Sequence, residues 1–152
     1  LKGLDLRVEI WQRALYIIED LTDGVGLRCF QPVMGLLYPH VSEPLGSVSH
    51  AHNLYLQVMA ALGPLGLIAF LAFIEVGFFA AERARQSLKH LAERELELYA
   101  AACSASLAGM CAHGLLDAAV WDNKGSFVPW AVIGLATALY GLGRRQGNGR
   151  PS

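Results

Sequence analysis

The stretch VMAALGPLGLIAFLAFIEVGFFAA, residues 58–81, decides the fold class of this chain, and Glu75 is the only charged residue among its 24 positions. A helix rises ~1.5 Å per residue, so this stretch is long enough to cross the ~30 Å hydrocarbon layer of a bilayer. We therefore predict a membrane-spanning helix over residues 58–81.

Two further apolar runs follow, over residues 98–120 and 126–143. Apolar residues make up 54% of the chain and charged residues 16%, against roughly 25% charged in an average soluble domain. These runs predict an all-α, multi-pass transmembrane helical bundle over residues 58–143, with about three spans. The net charge is −1 and no basic block is present, so we expect no nucleic-acid partner.

Residues 1–57 are polar enough to lie in water ahead of the first span. Within them, apolar side chains recur at helical spacing over residues 5–20, which predicts an amphipathic helix on the membrane interface. Residues 31–48 contain several prolines and glycines and predict an irregular loop, where functional residues are often found. The 3 cysteines are widely spaced and form neither a disulfide framework nor a zinc pattern.

Basic residues indicate the orientation in the membrane. Residues 82–97 carry four basic side chains and predict a short solvated helical connector, and the basic tail at 144–152 carries three. The positive-inside rule places both in the cytoplasm and residues 1–57 on the outer face. Because the chain begins at Leu1, we expect a C-terminal part of a larger protein, with residues 1–57 ending a periplasmic loop.

A polar segment, residues 49–57, leads directly into the first span and contains His50, His52 and Asn53. Histidine exchanges a proton near neutral pH, so its position at the lipid boundary points to chemistry on a lipid-anchored substrate. Alternatively, these histidines are structural and only donate hydrogen bonds. A metal would need an extended backbone to bring His-x-His to one face, with His40 as a third ligand, and no further residue completes a tetrahedral site. We therefore expect no metal.

The spacing after these histidines resembles a family signature. His52-Asn53, nine residues, Gly63, two residues and Gly66 resemble the signature of the O-antigen ligase family, which includes O-antigen polymerases and bacterial O-linked oligosaccharyltransferases. Residues 7–15 resemble the arginine-containing segment of that family's periplasmic loop, and residues 24–26 its Gly-Val-Gly element. Residues 113–117, His-Gly-Leu-Leu-Asp, resemble a motif in a later span.

The chain also departs from the family pattern. Members commonly have a proline before the Gly-Val-Gly element, where this chain has Leu21-Thr22-Asp23. The family is built from roughly a dozen spans, which exceeds the three predicted here. The upstream spans that help the family to bind its lipid carrier are absent, so we expect residues 1–152 alone to be inactive.

The resemblance implies a membrane glycosyltransferase of lipopolysaccharide biosynthesis in the cell envelope, located in the bacterial inner membrane. Such an enzyme transfers a glycan from an undecaprenyl-diphosphate carrier to an acceptor hydroxyl on the periplasmic face, without a cofactor. The acceptor is lipid A–core, another glycan or a protein. Ligase, O-antigen polymerase and protein O-oligosaccharyltransferase all remain open.

The resemblance also implies roles for single residues. His52 would be the general base that accepts the proton of the acceptor hydroxyl. The planar guanidinium group matches phosphate, so the donor diphosphate would be bound by Arg7, Arg13 and Arg28. Arg7 and Arg13 are six positions apart and lie on different faces of a helix, so we do not expect both at one phosphate. The residues expected to orient substrates are Asn53, His50, His113, Asp117 and Tyr55.

Other interpretations compete with this one. His113 and Asp117 are four positions apart and would share a helix face. Asp117 would polarise a histidine or bind the acceptor sugar, or the two residues would form a buried pair that locks helices together. A transporter or flippase fragment would use these two residues with Glu75 as a proton relay. Tyr55 would stack on a sugar ring or mark the membrane interface. An inactive, truncated family member is the remaining alternative.

Overall fold

The computed structural model describes residues 2–39, 48–118, 121 and 125–148. Over these residues the chain is helical and contains no strand. The helices are α1 (Lys2–Asp20), α2 (Phe30–Leu37), α3 (Leu54–His90), α4 (Arg94–Gly114) and α5 (Phe127–Asn148). The predicted all-α class is therefore confirmed.

Two helices of the described residues are long and apolar enough to cross a membrane, judged by length and composition: Leu54–His90 and Phe127–Gln146. The first includes the span predicted at 58–81, and the second covers the span predicted at 126–143 except for Ser126. The span predicted over residues 98–120 differs from the structure, because α4 ends at Gly114 and is not one of these two helices. Its sequence mixes apolar residues with serines and, near its start, charged residues. The described residues thus contain two candidate spans instead of three.

Three element boundaries also differ from the predictions. The loop predicted over residues 31–48 contains α2, whose Phe30 and Met34 are buried one helical turn apart. The connector predicted over residues 82–97 is divided, because α3 continues to His90 and α4 begins at Arg94. The tail predicted from residue 144 is helical as far as Asn148. His40, with the rest of residues 40–47, lies outside the described residues.

The chain forms two compact units, residues 1–70 with 113–123 and residues 71–112 with 124–152. In the first unit, α1 buries one face, and full burial of a large apolar side chain stabilises a fold by ~1.5–3 kcal/mol. One buried apolar cluster of this unit contains Ile10, Ala14, Ile17, Phe30, Met34, Ala51 and Ala60. The hydroxyl of Tyr38 also donates a hydrogen bond of 2.6 Å to Asp20, at the end of α1.

The second unit is built around small residues that let helices approach closely. A Cβ atom on Gly77 of α3 would lie 2.7 Å from Cγ1 of Ile133 and 3.0 Å from Cδ1 of Leu107. A glycine at position 77 therefore lets α3 lie close to α4 and α5. One buried apolar cluster of this unit contains Ala80, Ala81, Ala84, Leu88, Ala100, Cys103, Ala136 and Leu139.

Helix α3 is interrupted one turn after it enters its apolar run. Gly63 has φ 67° and ψ −173°, which is not helical, and Pro64 follows it. Proline has no N–H, so the carbonyl of Ala60, four residues earlier, loses its usual helical donor. An unpaired carbonyl inside the core would be unfavourable, so a donor from elsewhere is needed.

The turn after α1 supplies the missing donors. The N–H of Val25 donates to the carbonyl of Ala60, and the N–H of Gly26 donates to that of Ala61, each at 2.9 Å. The Gly-Val-Gly element therefore pairs with the interruption in α3 through backbone atoms. This pairing fixes the position of α1 relative to the start of α3.

Candidate functional site

The backbone around His52 is held in an unusual conformation. His52 has φ 47°, a left-handed value that side-chain-bearing residues rarely adopt. Asn53 immediately precedes α3, and its Oδ1 accepts hydrogen bonds of 3.0 Å from the N–H groups of Tyr55 and Leu56. An asparagine in this position satisfies donors that the first turn of a helix leaves unpaired. His52 is thus placed immediately before a capped helix.

Two further contacts hold the same backbone. Gln57 is only 2% exposed, and its Oε1 accepts a 2.8 Å hydrogen bond from the N–H of Ala51, which is fully buried. The indole N–H of Trp11 on α1 donates to the carbonyl of His52 at 3.4 Å. The backbone is therefore held on both sides of the histidine.

Asp117 faces the imidazole of His52. Its Oδ1 lies 3.3 Å from Nδ1 of His52, and the two side chains are 34% and 35% exposed, respectively. Burial raises the pKa of Asp117, but the N–H of Ala118 and the imidazole of His52 outweigh it, so the net pKa is lowered. The ionised carboxylate favours a proton on Nδ1, which leaves the lone pair of His52 on Nε2.

The turn that carries Asp117 is bound by two residues from other parts of the first unit. The guanidinium of Arg7 donates to the carbonyl of Leu116 at 2.9 Å, and the amide of Asn53 donates to that of Leu115 at 3.0 Å. The bond to Leu116 uses one of the five N–H donors of Arg7. Asn53 therefore positions the site through backbone contacts, with one amide N–H beyond these bonds.

His50 packs against His52 and completes a cluster of possible ligands. Its Nδ1 accepts a 3.3 Å hydrogen bond from the N–H of His52, and the ring centroids are 4.2 Å apart with an interplanar angle of 61°. One side-chain nitrogen or oxygen from each of His50, His52 and Asp117 lies within 4.8 Å of the other two. Asp117 adds a carboxylate that the sequence analysis did not place beside these two histidines.

Other predicted site residues are placed differently. Arg13 lies 3.9 Å from Glu9, one turn earlier on the same helix, and both side chains of this ion pair are half-buried. Arg28 is exposed and has φ 63° in the turn before α2. Tyr55 is half-buried in the first turn of α3.

The predicted pairing of His113 with Asp117 on one helix face does not hold. Helix α4 ends at Gly114, and the N–H groups of Leu116 and Asp117 both donate to the carbonyl of His113 in a turn. This turn directs Asp117 to His52, and His113 itself is exposed. The third member of the predicted proton relay, Glu75, is exposed within the second unit.

Sequence reasoning missed the contributions of Gln57 and Trp11. Gln57 had one usable signal, since an amide at the start of an apolar run must find a partner if it is buried. Trp11 was predicted only as part of an interfacial helix. The carbonyls of residues 115 and 116 gave no signal, because every residue carries one.

Compared with models of protein families, with curated proteins and with solved structures, the chain matches none. The resemblance to the O-antigen ligase family therefore remains a prediction from the motifs quoted above. The chemical case for the site is carried by the geometry of its own residues.

Proposed function

We propose that this chain belongs to a membrane glycosyltransferase of the O-antigen ligase type. The enzyme would move a glycan from an undecaprenyl-diphosphate carrier to an acceptor hydroxyl on the periplasmic face of the bacterial inner membrane. One observation carries the proposal: Oδ1 of Asp117 lies 3.3 Å from Nδ1 of His52, and His52 stands just before an apolar helix.

The reaction needs a base more than an acid. The acceptor oxygen attacks the anomeric carbon of the donor sugar, a carbon–oxygen bond forms, and the bond to the diphosphate breaks with its electron pair on the leaving group. Nε2 of His52 takes the proton that the hydroxyl loses. Asp117 stabilises the resulting imidazolium, since its carboxylate faces Nδ1.

Arg7 is the preferred ligand for the leaving diphosphate. It bonds to the turn that carries Asp117 through one N–H, and its guanidinium has further N–H groups for phosphate oxygens. Arg13 is a weaker candidate, because Glu9 already lies 3.9 Å from it. A single arginine, Arg7, is therefore favoured at the donor site. This agrees with the expectation that Arg7 and Arg13, on different faces of a helix, do not bind the same phosphate.

The surroundings suit a donor whose polyprenyl chain lies in lipid. His52 stands two residues before Leu54, where the apolar helix α3 begins. On α1, the large apolar side chains Val8, Leu15 and Tyr16 are exposed by 45–48%. An amphipathic helix of this kind lies at a membrane interface. Both features support a reaction at the lipid boundary.

The test is glycan transfer by the complete protein in lipid vesicles, supplied with an undecaprenyl-diphosphate-linked glycan. Separate reactions contain lipid A–core, a second lipid-linked glycan or an acceptor protein, which distinguishes the possible acceptors. We expect His52→Ala to lower the rate by ~10²–10⁴-fold, as removal of a general base does. The control, His90→Ala, removes an exposed histidine at the end of α3. Absence of transfer by wild type to every acceptor would overturn the proposal.

A further inference from the structure

We propose that His50, His52 and Asp117 bind one zinc-class divalent cation, and that the bound cation switches off the general base. The three side chains come from two separated segments of the first unit and present one ligand atom each within 4.8 Å of one another. All three are half-buried, so a cation from solution can reach them.

The observed distances approach those of a tetrahedral site. Ligands placed ~2.0–2.1 Å from a zinc ion at tetrahedral angles lie ~3.3–3.4 Å from each other. The separation between Nδ1 of His52 and Oδ1 of Asp117 is 3.3 Å, which matches one edge of that tetrahedron. The ligand atoms of the three residues lie within 4.8 Å of one another, so the other two edges need to shorten by at most ~1.5 Å to reach the tetrahedral length.

Neighbouring groups hold the ligands in place. Oδ1 of Asp117 accepts a 2.8 Å hydrogen bond from the N–H of Ala118, which orients the carboxylate. The indole N–H of Trp11 donates to the carbonyl of His52, and the backbone N–H of His52 donates to Nδ1 of His50. Such outer contacts typically change metal affinity by ~10–100-fold. Binding through Nδ1 of His50 would replace the last of these hydrogen bonds.

The types of ligand atom determine which cation the site prefers. Imidazole nitrogens suit zinc, nickel and copper, whereas magnesium and calcium prefer sites made of oxygen atoms. Two imidazoles and one carboxylate make a set that zinc commonly uses, with water in the fourth position. Magnesium should therefore fail to compete.

The consequence for catalysis follows from the imidazole ring, and it rests on the proposed function. A neutral imidazole has one lone pair and one N–H. If the cation takes the lone pair on Nδ1 of His52, the ring proton resides on Nε2, which can no longer accept the proton of an acceptor hydroxyl. Zinc would therefore inhibit transfer instead of assisting it.

The binding test uses the complete protein, freed of metal and equilibrated with zinc chloride in the presence of magnesium. We expect one equivalent of bound zinc in wild type, loss of that equivalent in His50→Ala and Asp117→Asn, and retention in His90→Ala. A second measurement needs no variant: acylation of histidines by diethyl pyrocarbonate, mapped by mass spectrometry. Zinc should protect His50 and His52 in wild type and leave His90 reactive.

The proposal and the transferase assignment can fail separately. If wild type binds no zinc, or if zinc leaves His50 and His52 as reactive as before, the cation site is overturned whatever the transfer assay gives. Zinc bound at these residues of a protein that transfers no glycan would support the site and refute the proposed function. Full transfer activity with zinc bound there would overturn the inhibitory role.

Discussion

Gly24 and Gly63 meet backbone to backbone. A Cβ atom on Gly24 would lie 2.6 Å from the amide nitrogen of Gly63, and a Cβ atom on Gly63 would lie 2.8 Å from the carbonyl oxygen of Thr22. Both glycines have positive φ, of 87° and 67°. This contact allows the turn after α1 to donate its N–H groups to the interrupted helix α3, so it underlies the position of the candidate site.

We expect Gly24→Ala to destabilise the protein more than Gly26→Ala does. Both positions have positive φ, which strains any L side chain by ~1–2 kcal/mol. A Cβ atom at Gly26 would meet only Sγ of Cys29, at 3.6 Å, whereas one at Gly24 would collide with backbone atoms. Overpacking of this kind costs a further ~1–3 kcal/mol. Thermal unfolding in detergent measures the difference, and equal losses in the two variants would contradict the backbone contact.

The buried amide of Gln57 should be necessary for stability. Gln57→Leu would leave the buried N–H of Ala51 without its 2.8 Å acceptor, which costs ~1–3 kcal/mol. The matched control is Gln12→Leu, on the exposed face of α1, where we expect less than ~0.5 kcal/mol. The measurement is the free energy of unfolding of each variant, compared with that of wild type. A Gln57→Leu protein as stable as wild type would refute the buried hydrogen bond.

Substitution of the two arginines of α1 should affect the rate of glycan transfer to different extents. Arg7→Ala removes the 2.9 Å bond to Leu116 and the proposed ligand for the donor diphosphate, so we expect a loss of ~10-fold or more. Arg13→Ala removes the partner of Glu9 and should change the rate by less than ~3-fold. Rates at subsaturating donor, with membrane insertion checked for each variant, give the comparison. A greater loss in Arg13→Ala would reverse this assignment.

Alkaline pH should weaken the link between α1 and α2. The hydrogen bond to Asp20 raises the pKa of Tyr38, with burial and the charge of Asp20 acting in the same direction. A raised pKa means that the stabilisation is fully present below the usual value, ~10, and is lost as pH rises through the higher folded value. The difference in melting temperature between wild type and Tyr38→Phe should therefore be constant up to about pH 10 and vanish above it. A difference that falls between pH 7 and 9 would contradict this account.

The sequence predicted those features of the fold that depend on local periodicity. Ile10, Ala14 and Ile17 recur at helical spacing and are buried on one face of α1, as the amphipathic pattern requires. The apolar run from residue 58 and the charged run from residue 82 both predicted helix, and α3 is continuous through them to His90, with Glu82 and Arg85 paired inside it. The break between His90 and Arg94 was not predicted. Helix α2 was missed because Pro32 and Gly35 are typical of loops, although Pro32 lies in the first turn, where proline is tolerated.

The site depended on contacts that no local pattern reveals. His52 and Asp117 were both selected as candidates from their residue types, but their meeting across 65 positions follows from tertiary packing. Asp117 was paired with His113 because four-residue spacing implies a shared helix face. The end of α4 at Gly114 removes that face and leaves the aspartate in a turn bound by Arg7 and Asn53.

The most direct test of the account is a double-mutant cycle on glycan transfer by the complete protein, with His52→Ala, Asp117→Asn and the double variant. If the carboxylate acts through the imidazole, each single change lowers the rate, His52→Ala by ~10²-fold or more, and the double variant is no slower than His52→Ala. Multiplied losses in the double variant, or normal transfer by His52→Ala, would contradict the proposal that His52, supported by Asp117, is the general base.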